Sequence, residues 1–169
     1  MNLIRLTYCD KNQKVTIAKI DGGKGAIENI KSLGFGIGDE IVFKSHQNGH
    51  GKIVVTYNGN EISLGHELAS KILLECSEAP IITLDKVRIG DSVEVTKMGA
   101  KGDVRFRLLD MGLVKGVQLN VIRTAPLGDP IEILINGFNL SLRLEEAKNI
   151  EVRLIKLGRS NGKKRWGIF

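Results

Sequence analysis

Residues 131–142 read Ile-Glu-Ile-Leu-Ile-Asn-Gly-Phe-Asn-Leu-Ser-Leu, and their reading decides the fold. Ile131, Ile133 and Ile135 occupy alternate positions, as do Phe138, Leu140 and Leu142, which is the two-residue period of strands with one buried face. Between them stands Asn136-Gly137, a dipeptide that tolerates positive φ and so favours a two-residue type I′ turn. The stretch therefore predicts a β-hairpin. A shift of 78 positions finds the same design around Asn58-Gly59, and residues 15–75 overlay 93–153 without a gap. The identical pairs are Val15/Val93, Lys19/Lys97, Gly34/Gly112, Gly38/Gly116, Ile53/Ile131, Asn58/Asn136, Gly59/Gly137, Ser63/Ser141, Leu64/Leu142, Glu67/Glu145, Ala69/Ala147 and Ile72/Ile150. A period this long marks a duplicated domain, because solenoid and propeller units repeat every ~20–50 residues.

Working outward in the second copy, Val93 to Met98 alternates apolar and polar side chains as a half-buried strand does. Asp103 is placed to cap a short helix whose buried stripe is Val104, Leu108 and Met111, and Gly112 supplies the left-handed residue that ends it. Val117 to Arg123 reads as a strand, followed by a proline-flanked loop and the hairpin. A short helix around Glu145 to Lys148 and a strand from Ile150 to Leu154 complete the unit. About five short strands with brief helical turns imply an all-β fold, a small barrel that hides its edges by closure. The sequence thus predicts two tandem SH3-like barrels, residues 1–76 and 83–157, with a tail at 158–169.

Composition limits the function. Residues 1–152 hold 19 basic and 19 acidic side chains, and the net charge of +6 falls in Arg153, Lys156, Arg159, Lys163, Lys164 and Arg165, so the barrels are close to neutral and the tail is basic. Neutral barrels lack the basic stripe of a nucleic-acid binder, and no specific nucleic acid is expected. No apolar run approaches the ~18 residues of a membrane helix, and Asp10 and Lys11 interrupt the N-terminus where a signal peptide would stay apolar, so a cytoplasmic protein is expected. Cys9 and Cys76 lack Cys-x-x-Cys spacing and read as ordinary thiols. There is no P-loop pattern, and His46, His50 and His66 have no partner at recognised ligand spacing. Neither a catalytic site, a cofactor nor a resident metal is expected.

The second copy resembles the FeoA-like family of bacterial ferrous iron transport. The residues that carry the likeness are Leu84, Gly90, Arg107-Leu108-Leu109-Asp110-Met111-Gly112-Leu113, Gly116, Ala125-Pro126-Leu127-Gly128-Asp129-Pro130, Gly137, Leu142-Arg143 and Ala147. The first copy is a weaker likeness: it keeps Gly34, Gly38, Asn58-Gly59 and Leu64, but Asn29 stands for Arg107, Gly65 for Arg143, and residues 45–52 replace the proline loop. The resemblance implies an SH3-like barrel and, as partner, the GTPase-containing ferrous iron permease called FeoB.

If shared residues encode the fold, unshared ones should carry function. A helix burying Val104, Leu108 and Met111 turns Phe106 and Leu109 outward, where the first copy has Glu28 and Lys31. With Arg107, Leu113 and the Pro126-Leu127-Gly128-Asp129-Pro130 loop they form the expected partner-binding face, and the prolines make the loop stiff. The expected function is a non-enzymatic adaptor or regulator of ferrous iron uptake that docks on the permease's GTPase domain. The alternatives are an SH3-like module of a metal-responsive transcription system, with His46 and His50 meeting metal transiently, and a nucleic-acid-binding barrel. Lys163-Lys164-Arg165-Trp166 would suit an anionic membrane at the inner face of the cell membrane, although a solvated terminus explains it more simply. Self-association into a homo-oligomer is compatible with all of these readings.

Overall fold

A computed structural model describes residues 2–47 and 51–158. The backbone forms two compact units, one ending at Glu78 and the other spanning Ala79–Gly158. The first runs through β1 (Asn2–Arg5), β2 (Lys14–Ile20), α1 (Lys24–Ser32), β3 (Glu40–Gln47), β4 (Lys52–Tyr57), β5 (Asn60–Gly65), α2 (His66–Ala69) and β6 (Ile72–Cys76). The second repeats it with β7 (Ile81–Thr83), β8 (Ser92–Met98), α3 (Gly102–Asp110), β9 (Gln118–Thr124), β10 (Ile131–Ile135), β11 (Phe138–Leu142), α4 (Leu144–Ala147) and β12 (Ile150–Lys156).

The two sheets are built alike. Their strand orders are β1-β6-β2-β3-β4-β5 and β7-β12-β8-β9-β10-β11, all antiparallel. Even the irregularities coincide: the bulge between Phe43 and Ser45 in β3 answers a register shift between Glu132 and Ile133, opposite the equivalent part of β9. Each unit is an SH3-like small barrel. The sequence predicted about five strands, and the sixth in each unit is the short edge strand β1 or β7.

The alternating side chains supply the core. Val93, Val95, Leu119, Val121, Ile131, Ile133, Ile135, Leu142, Ile150 and Val152 are buried in the second unit. Their counterparts Val15, Ile17, Ile41, Phe43, Ile53, Val55, Leu64, Ile72 and Leu74 fill the first. Each such side chain contributes about 1.5–3 kcal/mol by leaving water. Asn58-Gly59 and Asn136-Gly137 turn the two hairpins with positive φ at both residues, as their chemistry predicts.

The helix of the second unit differs from expectation in two ways. It opens at Gly102, whose φ of +60° lets the chain bend into the helix early, so Asp103 lies in the first turn rather than at the cap. There its charge still suits the positive end of the helix. The buried stripe is also narrower than predicted: Leu108 is fully buried, whereas Met111 is half-buried and Val104 is 40% exposed. A single inserted leucine anchors the helix. Gly112 ends it with φ +90°, as expected.

Candidate docking site

The shortest helix of the second unit holds the site together. α4 seats the fully buried Ala147 on the barrel, and its first turn is bonded from three sides. The Arg143 N–H donates to Glu146 Oε2 at 3.0 Å, satisfying one of the backbone donors that a helix start leaves open. The other Glu146 oxygen accepts from the Arg107 guanidinium of α3. The Leu144 N–H donates to Asp129 Oδ1 at 3.1 Å, which ties the 125–130 loop to the same turn. Within that loop the Ala125 N–H donates to the Pro130 carbonyl at 3.0 Å and the Gly128 N–H to the Ala125 carbonyl at 2.7 Å. Below it, Arg123 pairs with Glu132 across β9 and β10, and that hydrogen bond holds the Glu132 carboxyl below its ordinary pKa.

Helix α3 and the loop are thus braced on one support. On them Phe106 is 65% exposed and Leu127 is 97% exposed. A single exposed apolar side chain is common on protein surfaces, and such residues mark interaction sites where they gather into a patch. Leu109 is half-buried, and Pro126, Asp129, Pro130 and Arg107 are exposed. Arg107 and Asp129 have structural work as well, through Glu146 and Leu144.

Leu113 departs from expectation. It is fully buried, and its N–H donates to the Leu108 carbonyl at 3.1 Å. The left-handed Gly112 reverses the chain just before it and drops the side chain into the core, so Leu113 belongs to the fold and not to the outward face. Glu146 is the participant that the sequence reading missed. Its side chain is only 13% exposed although it carries a charge. A capping box is signalled by Ser or Thr at the cap, and here Arg143 occupies that position.

Among the described residues, the first copy lacks the side chains that make the Arg107, Glu146 and Asp129 bonds. Asn29 replaces Arg107, Leu68 replaces Glu146 and Gly51 replaces Asp129. The equivalent of the loop anchor survives as a main-chain bond, from the His66 N–H to the Gly51 carbonyl at 3.2 Å. Glu28 and Lys31 stand exposed where Phe106 and Leu109 lie.

Other candidates fall elsewhere. His46 lies beside Phe43 with ring centroids 5.0 Å apart and the rings tilted by 58°, and His50 and the basic tail from Arg159 onward lie outside the described residues. Among the described residues no three His, Cys, Asp or Glu side chains gather as a metal site, and no helix is long and apolar enough to cross a membrane. Burial pushes the Cys9 thiol from its ordinary 9.0 up to about 12, with the Cys76 thiol and the Asp10 carboxylate adding to the effect. At about pH 8 a thiol reagent is expected to modify the half-exposed Cys76 and spare Cys9 in the native protein, checked by mass spectrometry of the labelled peptides. Because the folded-state pKa is raised, the contribution of Cys9 to stability is complete below about pH 9 and is lost as pH rises towards about 12. Urea titrations across that window should decline less steeply for Cys9→Ala.

Comparison with known proteins agrees with this architecture. The FeoA domain model matches the chain twice, over residues 4–76 and 82–154. A stretch of 72 residues, 43% of the chain, is 40% identical to the Fe(2+) transport protein A/Fe(2+) transporter FeoB fusion protein of Porphyromonas gingivalis. The match spans only 8% of that much longer fusion protein. A stretch of 73 residues is 33% identical to the putative Fe(2+) transport protein A of Methanocaldococcus jannaschii and covers 43% of this chain and 87% of that protein. Among solved structures, iron(II) transport protein A of Clostridium thermocellum shares the fold over 96% of this chain and 93% of its own, with a TM-score of 0.58 and 20% identity.

Proposed function

Since the chain belongs to the FeoA domain family, which is associated with ferrous iron transport, we propose that it is a non-enzymatic cytoplasmic adaptor that docks on the GTPase domain of a FeoB-type permease. The observation that carries this reading is the relative from Porphyromonas gingivalis, in which an FeoA-type protein and FeoB are one polypeptide. Covalent fusion holds two modules at high effective concentration, an arrangement useful for modules that work on each other. The docking face is formed by Phe106, Arg107, Leu109 and the Pro126, Leu127, Asp129 and Pro130 loop. What supports that assignment is the exposure of Phe106 and Leu127 on elements that are already braced, because a stiff face loses little entropy on binding. The first barrel lacks these side chains and extends or orients the contact.

The test is retention of the full chain on purified permease, compared with permease lacking its GTPase domain. Leu109→Asp with Leu127→Asp should weaken retention at least tenfold, since each buries a charge in an apolar contact. Circular dichroism should be unchanged. Full retention of the double variant, or equal retention by permease without its GTPase domain, would refute the docking assignment.

A further inference from the structure

We infer that Glu146 is the positioning residue that makes α3 and the 125–130 loop a single rigid docking face in the second barrel. This inference rests on the docking reading above and deepens it.

Three observations point to Glu146. Its carboxylate is nearly covered, yet both oxygens are used: one by the Arg107 guanidinium, the other by the Arg143 N–H at 3.0 Å. It therefore joins α3 to the residue immediately before Leu144, whose own N–H is held by Asp129 at 3.1 Å. Displacing Glu146 loosens the turn on which Asp129 anchors the loop and at the same time releases Arg107, so the two elements bearing Phe106 and Leu127 lose their common support. The third observation is the comparison between copies. Arg107, Glu146 and Asp129 are all absent from the first barrel, as Asn29, Leu68 and Gly51, and so are the outward apolar residues. The first barrel folds into the same strand order without the network, so the fold does not require it. The chemistry supports the coupling: hydrogen bonds between ionised groups are about twice as strong as neutral ones, and the Glu146 side is largely covered while Arg107 keeps its other side, 51% exposed, in water.

Two readouts separate positioning from contact and from the docking reading itself. In the free full chain, Glu146→Ala should accelerate amide hydrogen exchange at Leu144, Gly128 and the end of α3 at least tenfold. Exchange in β10 and in the first barrel should not change. On the purified permease the same variant should bind about tenfold more weakly. Glu146→Gln keeps an acceptor for the Arg143 N–H, so it should fall between wild type and Glu146→Ala in both measurements. Asp129→Ala should weaken binding less when Glu146 is already alanine, because the anchor is then already loose.

Unchanged exchange at Leu144 and Gly128 would overturn the inference, and so would weaker binding with native exchange, which would make Glu146 a contact residue. If Leu109→Asp with Leu127→Asp binds normally while Glu146→Ala still loosens loop and helix together, the docking assignment fails and the mechanical coupling stands.

Discussion

Leu113→Ala should destabilise the second barrel by about 2–5 kcal/mol, the range for removing a fully buried leucine whose cavity only partly collapses. Leu113 is wholly inside, its N–H is tied to Leu108, and Leu108 is the single side chain that α3 inserts fully into the core. A cavity there undermines both the helix and the turn after it. Leu127→Ala should instead change stability by no more than about 0.5 kcal/mol, as surface substitutions do. Urea unfolding followed by circular dichroism, with hydrogen exchange in β8 and β12 to report on this barrel alone, measures both. Leu127→Ala should weaken permease binding, whereas Leu113→Ala should spare binding at temperatures where the barrel remains folded. The two leucines flank the same expected face, and this pair of results separates the one that builds it from the one that presents it.

Arg5→Ala should have an effect of similar size in the first barrel, about 3 kcal/mol or more. Arg5 ends β1 and is only 1% exposed, with its guanidinium donating to the Ser70 carbonyl at 2.9 Å just after α2. A buried cation is tolerated only when its donors are satisfied, and deleting it removes charged hydrogen bonding and leaves a large void together. Arg5→Met keeps most of the volume without the charge and should cost clearly less, because an apolar replacement also removes the need to desolvate a cation. Thr83 holds this position in the second barrel, so the dependence is confined to the first. Hydrogen exchange in β2 and β6 should show the loss, with β8 and β12 unaffected. Equal effects of the two substitutions would show that the lost hydrogen bonding, and not the void, accounts for Arg5.

Much of this architecture was legible because the decisive residues act locally. Asn58-Gly59 and Asn136-Gly137 set the hairpin turns through their own backbone preferences, and β10 alternates as its sequence does, whereas Ile53, Val54 and Val55 are buried in succession and Phe138 is 45% exposed. What the sequence hid depends on tertiary context. β7 has three residues, too few to display a period, and is defined by its pairing with β12. Leu113 follows a left-handed glycine, beyond which helical periodicity says nothing about direction. Its counterpart Phe35 is also buried, so an apolar residue shared in character but not in identity was a usable signal of core. Glu146 has no local signature in the sequence, because its partner Arg107 stands 39 residues earlier.

The replacement of the Asp129 carboxylate by the Gly51 carbonyl has an evolutionary corollary. Every amino acid carries a main-chain oxygen, so a tether made from it survives substitution at that site, and the hairpin of the first barrel can drift in sequence without coming unmoored. The second hairpin spells its tether in a particular side chain and cannot. After duplication, then, the two copies faced different mutational tolerances at the same place, and the N-terminal one was the freer to acquire a new role.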